Sequence, residues 1–313
     1  MSFAIVTRTL TKRFGRSVAL DSVNIEVPAG SIYALVGPNG AGKTSLIKVL
    51  MNIFGPTAGT AEIQGLDSTR LRGEAFQRIG YVSENQEMPD WMTVGELLRY
   101  YRSFYPGWDV ELEAQLVSQF DLPLDRKLKH LSRGVRVKAA LASSLAYRPT
   151  LLVLDEPFSG LDPLVRDELI EGLLDRAEET TIFLSSHDLA EIESFSSHVG
   201  FLENGRLLFQ EEMASLAGRF REITVTLNKP GSVPAVIPAS WLQVEASDSV
   251  VRFVESRFVP VQSQKDIASV FSGAHEVNVD PMTLRSIFLA IAKNGRGRAT
   301  ASSAGKKLEG VDA

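Results

Sequence analysis

The fold of this chain is decided by the stretch Gly37-Pro38-Asn39-Gly40-Ala41-Gly42-Lys43-Thr44-Ser45. It follows an apolar run, Ile32 to Val36, and precedes a helical pattern of apolar residues that begins at Leu46. This context predicts a strand, a loop and a helix. Glycines let the loop turn tightly, so that several N–H groups point into one concavity, and the helix adds its positive N-terminal end. The stretch therefore predicts a site for a phosphate chain.

The spacing within this loop gives its last residues a specific chemistry. Gly37, four further residues and then Gly42-Lys43-Thr44 fit the phosphate-binding loop, or P-loop, at every fixed position. We expect Lys43 to reach the β- and γ-phosphates of a nucleotide, the Thr44 hydroxyl to bind Mg²⁺, and the whole loop from Gly37 to Ser45 to contact the nucleotide. The alternative is a glycine-rich turn that leaves Lys43 in solvent, and the complete pattern between strand and helix argues against it.

Length and composition exclude several classes of protein. The 313 residues predict one large domain plus a smaller one. A net charge of -5 argues against a broad nucleic-acid-binding surface. The absence of cysteine excludes disulfides and thiolate catalysis, and the four histidines lack the spacing of metal ligands. The longest apolar run, Ile287 to Ala292, is far shorter than the about 20 residues that span a bilayer, so any membrane role is expected to come through a partner.

The residues on either side of the P-loop predict an α/β fold. Short β-like runs before the loop predict an antiparallel sheet. Phe14 precedes a glycine at a turn of this sheet, where its ring could stack on a nucleotide base. Considered alone, however, it is more simply interpreted as an ordinary buried phenylalanine. A later strand, Ile79 to Ser83, delivers Glu84. From there to residue 146 a helical period predicts a helical insertion that contains Ser132 and Gly134.

Two carboxylates and a histidine follow the next predicted strands. The apolar run Leu151 to Leu154 is typical of a central parallel strand, and ligands bind at the carboxyl end of such strands. We expect Asp155 to bind Mg²⁺ and Glu156 to polarise a water for attack on the γ-phosphate. His187 closes the following strand, where a contact to the γ-phosphate is the preferred interpretation. The alternative for the carboxylates is a polar loop that merely ends a strand.

The sequence changes character after about residue 218. Residues 1–218 form the predicted nucleotide-binding domain, with the helical part at about 84–146. Alternating strands and two helices predict a small α+β accessory domain over residues 219–294. Residues 295–313 are rich in Gly, Ala, Ser and Lys with few large apolar groups, which predicts a disordered tail.

Taken together, these motifs resemble the ATP-binding-cassette (ABC) family over about residues 3 to 215. The Walker A loop is Gly37 to Ser45, the Walker B strand is Leu151 to Glu156, the D-loop is Ser159 to Asp162, and the switch histidine is His187. The resemblance implies an ATPase fold with a parallel core sheet, an antiparallel β subdomain and a helical insertion. It also implies Mg·ATP as ligand and base stacking by Phe14.

The family resemblance further implies partners. Two copies would form a head-to-tail dimer in which Ser132, Gly134 and Asp162 of one copy complete the ATP site of the other. Dimer closure would drive a separate transmembrane permease, which would place the chain at the cytoplasmic face of the cell membrane. No nucleic-acid partner is implied.

Two positions depart from the family pattern. The signature, usually Leu-Ser-Gly-Gly-Gln, reads Leu131-Ser132-Arg133-Gly134-Val135, and Glu84 stands where the family usually has glutamine. Glu84 keeps an acceptor oxygen near Mg²⁺ but adds negative charge. Such substitutions resemble those in the bacterial branch that serves ABC-2 type exporters, including bacitracin-resistance-like systems. The competing hypotheses are a non-transport ABC protein that acts on ribosomes or DNA, and a regulatory nucleotide-binding module without catalysis.

Overall fold

The computed structural model describes residues 2–228, 236–291 and 293. The chain divides into two compact units, Met1–Glu212 and Met213–Ala313. The division falls slightly before the predicted boundary at residue 218. The predicted tail, 295–313, lies outside the described residues.

The first unit is built on a six-stranded sheet of order β11-β10-β4-β9-β8-β7, in which β10, β4, β9, β8 and β7 run parallel and β11 pairs antiparallel with β10. Every residue of β4 and β8 is buried, as expected for strands covered on both faces. The strands are β4 (Ile32–Val36), β7 (Ile79–Val82), β8 (Leu151–Leu154), β9 (Thr181–Ser186), β10 (His198–Glu203) and β11 (Arg206–Glu212).

A second sheet lies in the same unit and confirms the antiparallel sheet predicted before the P-loop. β1 pairs antiparallel with β2, β3 and β5, and β5 with β6. The short turn from β1 to β2 follows Phe14 directly. The strands are β1 (Phe3–Phe14), β2 (Ser17–Val23), β3 (Glu26–Pro28), β5 (Ala58–Ile63) and β6 (Leu66–Asp67).

The helices anchor the loops of this unit. Leu46, Ile47, Val49 and Leu50 of α1 are buried in the same core cluster as the sheet residues Leu35 and Phe183, and a fully buried leucine contributes roughly 1.5–3 kcal/mol. This packing holds the end of the P-loop against the sheet. The helices are α1 (Lys43–Leu50), α2 (Val94–Arg102), α3 (Val110–Gln119), α4 (Arg133–Leu145), α5 (Pro163–Leu174) and α6 (Leu189–Ile192).

The predicted helical insertion contains α2, α3 and α4. Thr93 and Glu96 form a reciprocal capping box at the start of α2, in which Thr93 is the N-cap. α4 begins at Arg133 because Ser132 caps it by accepting a hydrogen bond from the Val135 N–H. Arg133 and Gly134 therefore lie in the first turn of a helix.

The second unit contains a four-stranded antiparallel sheet of order β13-β14-β12-β15. Its core includes Ile223, Trp241, Phe253 and Phe271, and the Trp241 and Phe253 rings stack with centroids 4.0 Å apart. A further helical segment covers residues 284–291. The other elements are α7 (Met213–Arg219), β12 (Arg221–Leu227), β13 (Trp241–Ser247), β14 (Val250–Glu255), α8 (Pro260–Val270) and β15 (Ala274–Pro281).

Candidate active site

The P-loop connects β4 to α1, as its sequence predicts. The Gly37 N–H donates to the Ser186 carbonyl at the end of β9 (3.2 Å), so the loop begins against the neighbouring strand. Gly42 has φ +109°, and a Cβ atom there would lie 2.4 Å from the Ala19 carbonyl oxygen. Two features therefore require glycine at position 42: the positive φ, which other residues rarely adopt, and the Ala19 carbonyl, which leaves no room for a Cβ atom.

Lys43 is folded back under this loop and is only 5% exposed. Its ammonium donates to the Gly37 carbonyl (2.6 Å) and the Pro38 carbonyl (3.3 Å). It also lies 3.0 Å from Glu156 Oε1. A buried ammonium needs such partners because its charge is otherwise unsolvated. The structure thus joins the P-loop cation directly to the carboxylate predicted as general base.

Asp155 lies at the end of β8 and is 2% exposed. Its Oδ1 atom accepts hydrogen bonds from Thr44 Oγ1 (3.1 Å) and Ser185 Oγ (2.7 Å). Burial raises the pKa of the Asp155 carboxyl above its ordinary value of 3.8, while these two hydrogen bonds act in the opposite direction. A buried carboxylate and an adjacent hydroxyl together supply hard oxygen ligands that suit a cation.

Glu156 connects Lys43 to His187. Its Oε2 atom accepts a hydrogen bond from His187 Nδ1 (2.7 Å), while Oε1 faces Lys43. The Glu156 N–H donates to Ser185 Oγ (2.9 Å), and Glu156 has φ +49°, in the left-handed region. A glutamate in this region is uncommon, and such local strain is often found at functional sites.

The P-loop residues 39–45, Glu156 and His187 border one cavity of about 520 Å³, and Asp155 is hydrogen-bonded to Thr44 of its lining. The volume is in the range of small-molecule sites. Its position at the carboxyl ends of β4, β8 and β9 is where parallel sheets bind ligands. The lining residues are Ser17, Val18, Ala19, Asn39, Gly40, Ala41, Gly42, Lys43, Thr44, Ser45, Glu84, Glu156, Ser159 and His187.

The donor set at Thr44 and Asp155 fits Mg²⁺. Within residues 2–228, 236–291 and 293, no group of three or more His, Cys, Asp or Glu side chains is placed to hold a metal ion. Mg²⁺ does not require one, because it is held by one or two protein oxygens and takes its other ligands from substrate phosphates and water. Glu84 borders the same cavity, so its carboxylate adds further oxygen atoms of the kind that Mg²⁺ prefers to the lining.

Besides Gly37 and Pro38 at the start of the P-loop, four predicted nucleotide contacts lie outside the cavity lining. Phe14 is 45% exposed and packs edge-on against Phe54, with centroids 5.2 Å apart. Asp162 caps α5 by accepting from the Val165 N–H (3.1 Å). Ser132 caps α4, and Gly134 packs against Val165. One copy of the chain therefore does not bring these residues to its own phosphate loop.

The structure also adds residues that the sequence analysis did not select. Ser185 is fully buried and holds Asp155 and Glu156 together, and its only sequence signal was its place at the end of the strand that carries His187. Ser17, Val18 and Ala19 line the cavity because β2 lies beside the P-loop. The sequence marked Val18 and Ala19 only as part of a β-like run, and no motif placed them at the cavity.

Comparison with known proteins agrees with this geometry. Residues 20–159 match the family described as ABC transporter. The bacitracin transport ATP-binding protein BcrA of Enterococcus faecalis is 30% identical over 241 residues, which cover 76% of this chain and 78% of that protein. This chain belongs to the ABC transporter family. The sulfate/thiosulfate import ATP-binding protein CysA of Mycobacterium bovis is 35% identical over 215 residues, 66% of this chain and 61% of that protein.

Solved structures place this ABC transporter chain with the ATP-binding subunits. A solved ATP-binding subunit of an ABC transporter superposes with a TM-score of 0.63 at 27% identity, covering 69% of this chain and 92% of that one. The protein is an ATP-binding subunit that hydrolyses ATP for transport. Among the described residues, no helix combines the length and apolar character needed to cross a bilayer.

Proposed function

We propose that this ABC subunit binds Mg·ATP in the cavity at the P-loop and hydrolyses it with Glu156 as general base. The observation that carries the proposal is the convergence of Lys43, Glu156 and His187 on one cavity, with Asp155 hydrogen-bonded to Thr44 of its lining, although three separate segments supply these residues. The amides of the loop from Gly37 to Ser45 would hold the phosphates.

Each buried group has a separate task in this proposal. Lys43 is the cation that the phosphates would contact, since it lines the cavity. Thr44 and Asp155, with Glu84 nearby, would hold Mg²⁺, which offsets the charge on the transferring phosphoryl group. Glu156 would orient and deprotonate the attacking water, and His187, hydrogen-bonded to it, would hold that carboxylate and contact the γ-phosphate.

The residues that lie away from the cavity support a dimer. Ser132 and Asp162 are exposed at the N-termini of two helices, α4 and α5. We propose that a second copy presents these residues, with Gly134, to the nucleotide, and that Phe14 stacks on the base from the hairpin next to the cavity. Helix N-termini attract phosphate, which makes them suitable for this contact.

We further propose that the subunit drives a separate transmembrane permease from the cytoplasmic face of the membrane, in the direction of export. The match to the bacitracin transport protein covers 76% of 313 residues, about 238, which exceeds the 212 residues of the first unit and so extends into the second. The match to the import protein covers 66%, about 207 residues, and does not require the second unit. The accessory unit thus favours the exporter branch.

The test is Mg²⁺-dependent ATP hydrolysis by the purified chain as a function of protein concentration, beside Glu156→Gln. Loss of a general base should slow turnover by about 10²-fold or more. We expect specific activity to rise with concentration and the variant to form a dimer when ATP is added, measured by mass. Glu179→Gln, which removes an exposed carboxylate from the same unit, is the matched control. Near-normal hydrolysis by Glu156→Gln would refute the assignment of the base.

A further inference from the structure

A second cavity, of about 280 Å³, is lined by Glu84 and Arg133, two residues that depart from the family pattern. Its lining includes Glu84 and Asn85 after β7, and Arg133 and Arg136 in the first turns of α4. We call it the arginine cavity. Glu84 also lines the nucleotide cavity, so a single carboxylate borders both spaces.

The charge of the nucleotide cavity needs an offset. Its lining contains one cation, Lys43, and two carboxylates, Glu84 and Glu156, so its formal charge is -1 with His187 neutral. Lys43 is already paired with Glu156 at 3.0 Å. Until Mg²⁺ binds, Glu84 is therefore a carboxylate without a cation partner at a site that accepts polyanionic phosphates, and its charge opposes theirs.

Of the two arginines that line the arginine cavity, Arg136 forms an ion pair and Arg133 does not, among the residues that the structure describes. Arg136 is paired with Asp90 (2.9 Å) and donates to the Leu128 carbonyl (3.4 Å). Arg133 and Glu84 have no ion-pair partner within 4.0 Å among the residues that the structure describes. They are thus two opposite, unpaired charges on the wall of one small cavity.

Arg133 also reaches the loop that follows Glu156. A Cβ atom at Gly160 would lie 3.8 Å from Arg133 Cζ. The residue before it, Ser159, lines the nucleotide cavity. Arg133 therefore lines the cavity that Glu84 also lines, and its guanidinium lies beside Gly160 in the loop that follows Glu156 on the same chain.

We propose that Arg133 is a positioning residue that supports nucleotide binding in its own subunit by offsetting the charge of Glu84. This differs from the role proposed for its neighbours Ser132 and Gly134, which act on a second copy. The inference rests on the proposed nucleotide site. Arg133 and Glu84 both differ from the family pattern, and in this proposal the charge that one substitution adds compensates for the charge that the other adds.

The test is a double-mutant cycle on ADP affinity, measured by titration calorimetry with Mg²⁺ at protein concentrations where the chain is monomeric. The variants are Arg133→Gln, Glu84→Gln and the double variant. Exposed charge pairs contribute modestly, so we expect Arg133→Gln to weaken ADP binding about threefold in the native background and not at all in the Glu84→Gln background. Arg133→Lys should restore most of the affinity, and about 0.5 M salt should remove the difference.

Matched controls separate this proposal from simpler effects. Arg126→Gln removes an exposed positive charge from the same helical insertion but lines neither cavity, and it should leave ADP affinity unchanged. An equal loss with Arg126→Gln, or an equal loss for Arg133→Gln in both backgrounds, would overturn the pairing with Glu84. No ADP binding by the unmodified, folded chain would instead refute the nucleotide site itself.

Discussion

Replacing Glu156 by glutamine should tighten the binding of ADP while it slows hydrolysis. In this structure the Glu156 carboxylate lies 3.0 Å from the Lys43 ammonium, and both side chains are less than a tenth exposed. A phosphate that contacts Lys43 must compete with this carboxylate. Glutamine retains the shape and one acceptor oxygen but removes the competing charge.

The size of the effect follows from the contacts of Lys43. A hydrogen bond to a charged group is worth about 1.5–3 kcal/mol and a neutral one about 1 kcal/mol, so the substitution lowers the competition by about 0.5–2 kcal/mol. That is about a two- to thirtyfold gain in ADP affinity. Lys43 keeps its bond to the Gly37 carbonyl (2.6 Å), which holds the ammonium in place in the variant.

The assay is titration calorimetry of ADP with Mg²⁺, which avoids turnover, on the native chain, Glu156→Gln and the control Glu179→Gln. Glu179 pairs with Arg148 at the surface and does not line the cavity, so its replacement should leave the affinity unchanged. Unchanged or weaker binding by folded Glu156→Gln would contradict the view that Glu156 competes with phosphate for Lys43.

Three further substitutions test the site. Gly42→Ala would place a Cβ atom 2.4 Å from the Ala19 carbonyl at φ +109°, and at a backbone cost of at least about 1–2 kcal/mol it should weaken ADP binding about tenfold or more by calorimetry. Ser185→Ala removes the acceptor of the Glu156 N–H and should lower the free energy of unfolding by about 1–3 kcal/mol in scanning calorimetry; an unchanged melting temperature would argue against it. Burial raises the pKa of Asp155, so the ionised carboxylate destabilises the folded protein. This destabilisation is absent below about pH 3.8, the unfolded value, and is complete above the folded pKa. Asp155→Asn should therefore melt above the native chain at neutral pH, with a gap that closes as the pH falls toward 3.8, and it should lose Mg²⁺-dependent hydrolysis; a gap that does not change with pH would refute the burial argument.

Much of the candidate site could be predicted from local sequence patterns. The glycine spacing before Lys43 needs no distant contact to predict a turn between a strand and a helix, and α1 begins at Lys43. The fully apolar run before Asp155 and Glu156 predicted a buried parallel strand, and β8 is buried throughout. These predictions succeed because they depend on backbone conformations and periods that a few neighbouring residues fix by themselves.

Other features depended on pairing between distant segments. Ser185 became a site residue because β9 lies between β4 and β8, where its hydroxyl donates to the Asp155 carboxylate and accepts from the Glu156 backbone N–H. Glu84 and Arg133 came to one cavity only through the packing of α4 beside β7. A single sequence contains no period or spacing that reports such contacts.

The sequence by itself determined the chemistry of this protein: a phosphate loop, a lysine, two carboxylates and a histidine, each at the end of a strand or the start of a helix. The tertiary structure alone decided that Lys43, Glu156 and His187 meet within hydrogen-bonding distance, and that Ser132, Gly134 and Asp162 stay outside the cavity of their own chain. The physical reason is that strand order and helix packing are set by the burial of apolar surface over the whole core, whereas loops and caps are set by the few residues within them.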